Sequence, residues 1–207
     1  MYAMFFKRFF DIVLSLFALI VLSPILLVVA ILVKIKLGSP VIHAANRVGK
    51  NGKVFRLYKF RSMTNEKDEN GNLLPDEKRL TKFGRLIRAT SLDELPELVN
   101  ILKGDMSIIG PRPLPEIYLP YYTERENQRH NVRPGLSGWA QANGRNSLPW
   151  AERFELDVWY TEHISLWLDI KIIFLTVYKV FKRDGIGQGE QWPVSLHVER
   201  SRQSLNI

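Results

Sequence analysis

The chain has 207 residues, a formal net charge of +8, 46% hydrophobic and 24% charged residues, and no cysteine. That length suits one domain with room for a small appendage, and the ordinary balance of apolar and charged residues excludes wholesale disorder. Without cysteine there are no disulfides, thiolate zinc sites or cysteine nucleophiles. The positive charge points to an anionic partner: nucleic acid, a phosphate-bearing substrate or an acidic membrane surface.

The mean hydropathy of −0.09 averages two unlike regions. Ile12 to Val33 is apolar except for Ser15, Ser23 and Pro24. As a helix it would rise about 33 Å, enough to cross a bilayer core. It is long for a signal-peptide core and has no small-residue cleavage site before Lys34. Lys7 and Arg8 precede it and Lys34 and Lys36 follow it, so the positive-inside rule places both ends on one side, which a straight crossing cannot satisfy. Pro24 removes a helix hydrogen bond, and Ser23 can bond the freed carbonyl. A re-entrant helix broken at Ser23-Pro24 reconciles these features; a single-pass anchor with an incidental kink and a buried hairpin of core helices are the alternatives.

Val41 to Arg61 reads as a β-hairpin turning at Lys50-Asn51-Gly52-Lys53, with Phe55, Leu57 and Lys59 on one face of the second strand. Thr64 to Asp76 is a polar surface loop. Glu77 to Arg88 is expected to be one amphipathic helix, with Leu80, Phe83, Leu86 and Ile87 among basic residues, suited to an anionic membrane surface or to a solvated core helix. Ser91 to Lys103 reads as a short helix with a stripe of Leu92, Leu95, Val99 and Leu102 and a stop at Gly104. It starts either at a Ser91–Glu94 capping box or at Asp93. Ser107 to Arg145, rich in Pro, Gly, Arg and Asn, is expected to form structured loops. A last helix spans Ser165 to Arg183, with Trp167, Ile170, Phe174, Val177 and Phe181 on one side; membrane-interface and core packing both suit it. Residues 184–207 have weak periodicity and read as a tail. The fold class is α+β, mostly helical with a small hairpin.

Asp93-Glu94 is the most suggestive chemical pair. A carboxylate can attack phosphorus to give an acyl phosphate, and neighbouring carboxylates suit Mg²⁺; equally, acidic residues are common at helix N-termini for purely structural reasons. Arg88, Arg112 in Gly110-Pro111-Arg112-Pro113, Lys59 and Arg145 supply cations in compact segments, and arginine forks bind phosphate oxygens in paired hydrogen bonds. Carboxylates and arginines together suggest a diphosphate substrate. His43, His130, His163 and His197 are scattered without metal-ligand spacing. No nucleotide-binding glycine loop or recognised nucleic-acid motif is present, so nucleic acid is not expected as a partner.

Seven blocks in order, KRFFD, Ser23-Pro24, YKFRSM, SLDELPEL, GDMSIIGPRP, RPGLSGWAQANGR and FELDVWY, resemble the bacterial sugar transferase family, the monotopic phosphoglycosyl transferases. The resemblance covers about Phe5 to Arg183. It implies transfer of a phosphosugar from a UDP-sugar to polyprenyl (undecaprenyl) phosphate, with release of UMP, as the first membrane step of glycan assembly. It also implies a monotopic protein on the cytoplasmic face of the bacterial inner membrane, with residues 1–36 as the re-entrant helix and 37–183 as the catalytic domain. Asp93 then becomes nucleophile and Mg²⁺ ligand, Glu94 completes the dyad, and Arg88 and Arg112 hold phosphate. Lys59, Gln141, Asn143, Arg145 and Asp157 are further candidates for substrate binding. Homodimer formation is left open. Two other functions compete: a membrane glycosyltransferase that releases UDP, and a non-enzymatic scaffold for acidic lipid or nucleic acid.

Overall fold

The computed structural model describes residues 2–144, 148–182 and 194–205. After a π-helical turn, helix α1 runs over Lys7–Leu37. The expected break at Ser23-Pro24 is not an interruption of the helix: helical backbone continues through both residues. Pro24 has no N–H for the carbonyl of Ile20, and the Ser23 hydroxyl donates to that carbonyl instead, at 2.8 Å. The helix is long and apolar enough to cross a membrane, and only 11% of its most apolar stretch is buried against the rest of the protein. It is therefore not an ordinary core helix.

A narrow polar and apolar seam attaches α1 to the rest. Near its start, the Asp11 carboxylate accepts from the Ser107 hydroxyl and the Ile108 N–H, and Arg8 donates to the carbonyls of Ile101 and Leu102. Ala18 and Leu19 then pack on one core cluster, and Val29 and Val33 on another.

The expected hairpin is present as antiparallel strands β1 (Ile42–Val48) and β2 (Val54–Phe60), with His43 opposite Lys59 and Arg47 opposite Phe55. Asn51 and Gly52 turn with positive φ, which Asn-Gly tolerates. Leu57 and Phe60 lie on opposite faces of β2 and feed the two clusters under α1: Leu57 packs with Leu98, Ile101 and Met106, and Phe60 with Val29, Val33 and Ile87.

Three expectations for the other segments are corrected. Glu77–Arg88 is two helices, α2 (Asp76–Arg79) and α3 (Lys82–Ala89), parted by extended Leu80, because the Thr81 hydroxyl accepts from the Gly84 N–H and starts a new helix. Ser91–Lys103 is likewise divided into a 3₁₀ turn, Leu92–Glu94, and helix α4 (Glu97–Lys103). Ser91 adopts a left-handed conformation (φ 55°) without capping by its side chain, and Glu94 is committed to Lys59 and Arg112 instead of a capping box. The buried face of α4 is Glu97, Leu98, Asn100 and Ile101, whereas Val99, from the expected stripe, is exposed.

Strands β3 (Ser107–Ile109) and β4 (Gly135–Ser137) pair in parallel, a contact that sequence reading missed. A Cβ on Gly135 would lie 2.1 Å from the Gly110 nitrogen, and one on Gly138 2.2 Å from the Gly110 oxygen, so the two Pro/Gly-rich segments approach backbone to backbone. Between them lie a 3₁₀ segment, Glu116–Tyr121, and helix α5 (Glu124–Asn127), which is held by a Thr123–Glu126 capping box. Helices α6 (Trp139–Asn143), α7 (Trp150–Glu162) and α8 (Leu166–Lys182) follow. On α8, Trp167, Phe174 and Val177 are exposed while Asp169 and Ile172 are buried. The third correction concerns the supposed tail. It contains helix α9 (Leu196–Leu205), whose Leu196 is fully buried against Leu114, Tyr118, Trp150 and Phe154. Its few apolar residues left too little periodicity to announce this helix.

Candidate active site

The site forms where the hairpin, the 3₁₀ turn before α4 and the loop after β3 converge. Asn100 fastens α4 to the edge of β2: its side chain accepts from the Tyr58 N–H and donates to the Arg56 carbonyl. That attachment sets Glu94 and Glu97 over Lys59, whose ammonium lies 2.6 Å from Glu94 Oε1 and 3.0 Å from Glu97 Oε1. Arg112, leaving β3 through Gly110-Pro111, reaches the same Glu94 oxygen at 2.9 Å, and its side chain is 41% exposed. Arg88, near the end of α3, is oriented by a 2.8 Å hydrogen bond from its Nε to the Ser62 hydroxyl.

Asp93 is buried but, among the described residues, its carboxylate makes no hydrogen bond or ion pair. Burial and the adjacent Glu94 push it up to about 6, while Lys59, Arg88 and Arg112 pull in the other direction. Glu94 is held low: burial opposes ionisation, but the charges and hydrogen bonds of Arg112 and Lys59 overcome it. Burial raises Glu97 despite Lys59. The dyad thus consists of one available carboxylate and one committed to organising two cations.

Lys59, Arg88, Asp93, Glu94 and Arg112 are brought together as the sequence suggested. Asp157 is not presented to a ligand. It is fully buried, its Oδ2 accepts from Arg129 Nε and Nη2, and Arg129 Nη2 also donates to the Arg112 carbonyl at 2.7 Å. It therefore braces the loop that carries Arg112. Gln141 and Asn143 hydrogen-bond within their own segment, to the carbonyls of Leu136 and Trp139. Gln141 Oε1 is buried without a partner among the described residues. Arg145 lies outside the described residues. Sequence reading missed Glu97, Asn100 and Arg129. For Glu97 the available signal was its position three residues after Glu94, one helical turn on.

Among the described residues, no group of three His, Asp or Glu side chains is arranged to hold a metal ion by itself. Asp93 is the residue that could hold a hard cation, whose remaining ligands would be substrate oxygens and water.

A buried, unpaired carboxylate ringed by cations is the arrangement expected for chemistry at phosphorus. Residues 2–183 match the sequence model of the bacterial sugar transferases. The chain belongs to that family. This sugar transferase is 56% identical over 182 residues to EpsL, an uncharacterized sugar transferase of Bacillus subtilis (strain 168), covering 88% of this chain and 90% of that protein. It is 40% identical over 198 residues to an undecaprenyl-phosphate galactose phosphotransferase of Salmonella typhimurium (strain LT2), covering 87% of this chain and 41% of the relative. It is 43% identical over 187 residues to a UDP-glucose:undecaprenyl-phosphate glucose-1-phosphate transferase of Escherichia coli (strain K12), covering 84% of this chain and 40% of the relative. The chain thus spans about two fifths of the latter two proteins. Family membership makes it an enzyme of the transferase class and sets aside the scaffold alternative.

Proposed function

We propose that the enzyme transfers a phosphosugar from a UDP-sugar to polyprenyl phosphate, such as undecaprenyl phosphate, and releases UMP. The observation that carries this reading is the division of the dyad: Asp93 is unpaired beside three cations, while Glu94 holds Lys59 and Arg112. The names of the Salmonella and Escherichia relatives support the lipid acceptor and the sugar-phosphate donor.

In the first step an Asp93 oxygen bonds to the sugar-bearing phosphorus. The bond from that phosphorus to the bridging oxygen breaks, and UMP leaves with the electron pair. Arg88, Arg112 and Lys59 neutralise the oxygen charge that builds up. In the second step a phosphate oxygen of the polyprenyl lipid attacks the same phosphorus and expels the Asp93 carboxylate, giving the polyprenyl diphosphate sugar. Mg²⁺, bound by Asp93 with substrate oxygens, would supply further charge neutralisation.

The acceptor's apolar tail requires the site to lie at a membrane. Both ends of α1 rest on the catalytic domain, whereas Ile20 to Ile25 are exposed apart from half-buried Leu22. This supports a re-entrant path with its tip at Ser23-Pro24, entering and leaving on the cytoplasmic face of the inner membrane. The exposed Trp167 and Phe174 of α8 and the basic α3 suit the interface beside it.

Incubation with radiolabelled UDP-sugars, Mg²⁺ and undecaprenyl phosphate should release UMP, and without acceptor should leave a labelled covalent adduct. Asp93→Asn should abolish both. Full turnover by that variant overturns the nucleophile assignment, and release of UDP instead of UMP overturns the reaction class.

A further inference from the structure

The hairpin brings one more cation to this site, and the mechanism above leaves it unused. Arg47 lies on the same face of β1 as His43, the cross-strand partner of Lys59. Its backbone is fixed beside the segment leaving Arg112: Arg47 bridges to Pro115, and the Val48 N–H donates to the Leu114 carbonyl at 3.0 Å. The half-buried guanidinium makes one hydrogen bond, to the carbonyl of Asn46, and no ion pair among the described residues. A guanidinium has five N–H donors, so most of its capacity is unused. Besides burial, the charges of Arg112 and Glu97 act on it.

The charges around the dyad leave a use for such a group. Three carboxylates, Asp93, Glu94 and Glu97, face three cations, Lys59, Arg88 and Arg112. With all six ionised they cancel formally, so Arg47 is positive charge beyond theirs that an anionic ligand can use. Asp93 is coupled to Lys59, Arg88 and Arg112, whereas Arg47 is coupled to Arg112 and Glu97. Arg112 is the member common to both sets, and the backbone contacts of Arg47 with Pro115 and of Val48 with Leu114 place Arg47 on the segment that follows it. In an in-line displacement the leaving oxygen lies opposite the attacking one.

We propose that Arg47 and Arg112 together seat the phosphate that departs with the nucleotide, leaving Arg88, beside Asp93, to hold the phosphoryl group that is transferred. This assignment rests on the reading of the donor as a nucleoside diphosphate sugar. Two guanidiniums on one phosphate hold it before and after bond cleavage, so the subsite contributes to donor affinity and to product retention.

The test is binding of UMP, with uridine as the phosphate-free control, to the full chain in lipid nanodiscs by calorimetry, alongside UDP-sugar kinetics. Arg47→Gln should weaken UMP binding and raise the donor KM, each by about 10- to 100-fold, as for loss of a charge-assisted hydrogen bond. Uridine binding and the thermal unfolding midpoint should be unchanged. Should Arg47→Gln fail to fold, Arg47→Lys carries the test, with weaker UMP binding expected because lysine cannot bridge two phosphate oxygens. Wild-type UMP affinity and donor KM in the folded variant overturn the subsite, as does an equal loss of uridine binding. If UMP binding depends on Arg47 but no UDP-sugar yields a lipid-linked product, the subsite stands and the proposed reaction falls.

Discussion

Asp93 and Glu94 are neighbours in the chain, yet their surroundings drive them apart. Glu94 is paired twice and stays ionised; Asp93 is buried, unpaired and easier to protonate. Supporting residues act one step further out. Removing the Asp157 charge leaves Arg129 buried beside an uncharged partner, and breaking a buried pair costs about 3–5 kcal/mol. Asp157→Asn should therefore lower the thermal unfolding midpoint sharply and also reduce transfer, because Arg129 no longer fixes the Arg112 carbonyl; a variant with wild-type stability would refute the bracing role. His130 is a second buried support. Burial, and then Arg129, bring it down to about 4, whereas an unfolded histidine titrates near about 6.5. The unfolded chain therefore binds the proton more tightly. Stability contributed by neutral His130 is complete above about pH 6.5 and declines as the pH falls towards 4, by up to about 3 kcal/mol. Burial of Asp93 and Glu97 acts in the opposite direction, so the contribution is read as a difference: the gap in thermal unfolding midpoint between wild type and His130→Gln should change correspondingly as the pH falls from about 6.5 towards 4.

Among the elements, close backbone approach decides more than helix propensity. The two glycine-rich motifs were legible as structured loops, but their spacing could not reveal that β3 and β4 lie in parallel contact. Gly135→Ala would place its Cβ against the Gly110 nitrogen and the Ser137 oxygen, neither of which is a flexible side chain. The expected result is a loss of about 1–3 kcal/mol, as for overpacking, with reduced activity because Gly110 leads into Arg112. Unchanged unfolding and kinetics would show that the strands can separate without consequence. The register of α4 carries a related lesson. A count of apolar residues selected Leu95, Val99 and Leu102, but buried Asn100 and Glu97 belong to the packed face because each has a specific polar partner.

For the whole molecule, the decisive arrangement is α1 against the catalytic domain. Polar anchors at Arg8 and Asp11 hold one end to α4 and β3, and Val29 and Val33 hold the other to Phe60 and Ile87. The absence of native cysteine makes a topology test direct. Ala3→Cys and Ser39→Cys should be labelled by a membrane-impermeant thiol reagent from the same side of oriented vesicles; labelling from opposite sides would refute the re-entrant path.

Local signals in the chain sufficed for the apolar helix, the Asn-Gly hairpin, the Gly104 stop and the Asp93-Glu94 pair within ordered family motifs. The family resemblance singled out Asp93, but why it is Glu94 that is committed, and what holds the cations, emerged from the folded arrangement alone. Lys59 reaches Glu94 across 35 residues, Arg112 across 18, and Arg129 reaches Asp157 across 28. Such partners leave no periodic trace, because charge pairing depends on distance in space and burial rather than on separation along the chain. Arg47 and Glu97 were accordingly ordinary charged residues until the fold set them beside Arg112 and Lys59.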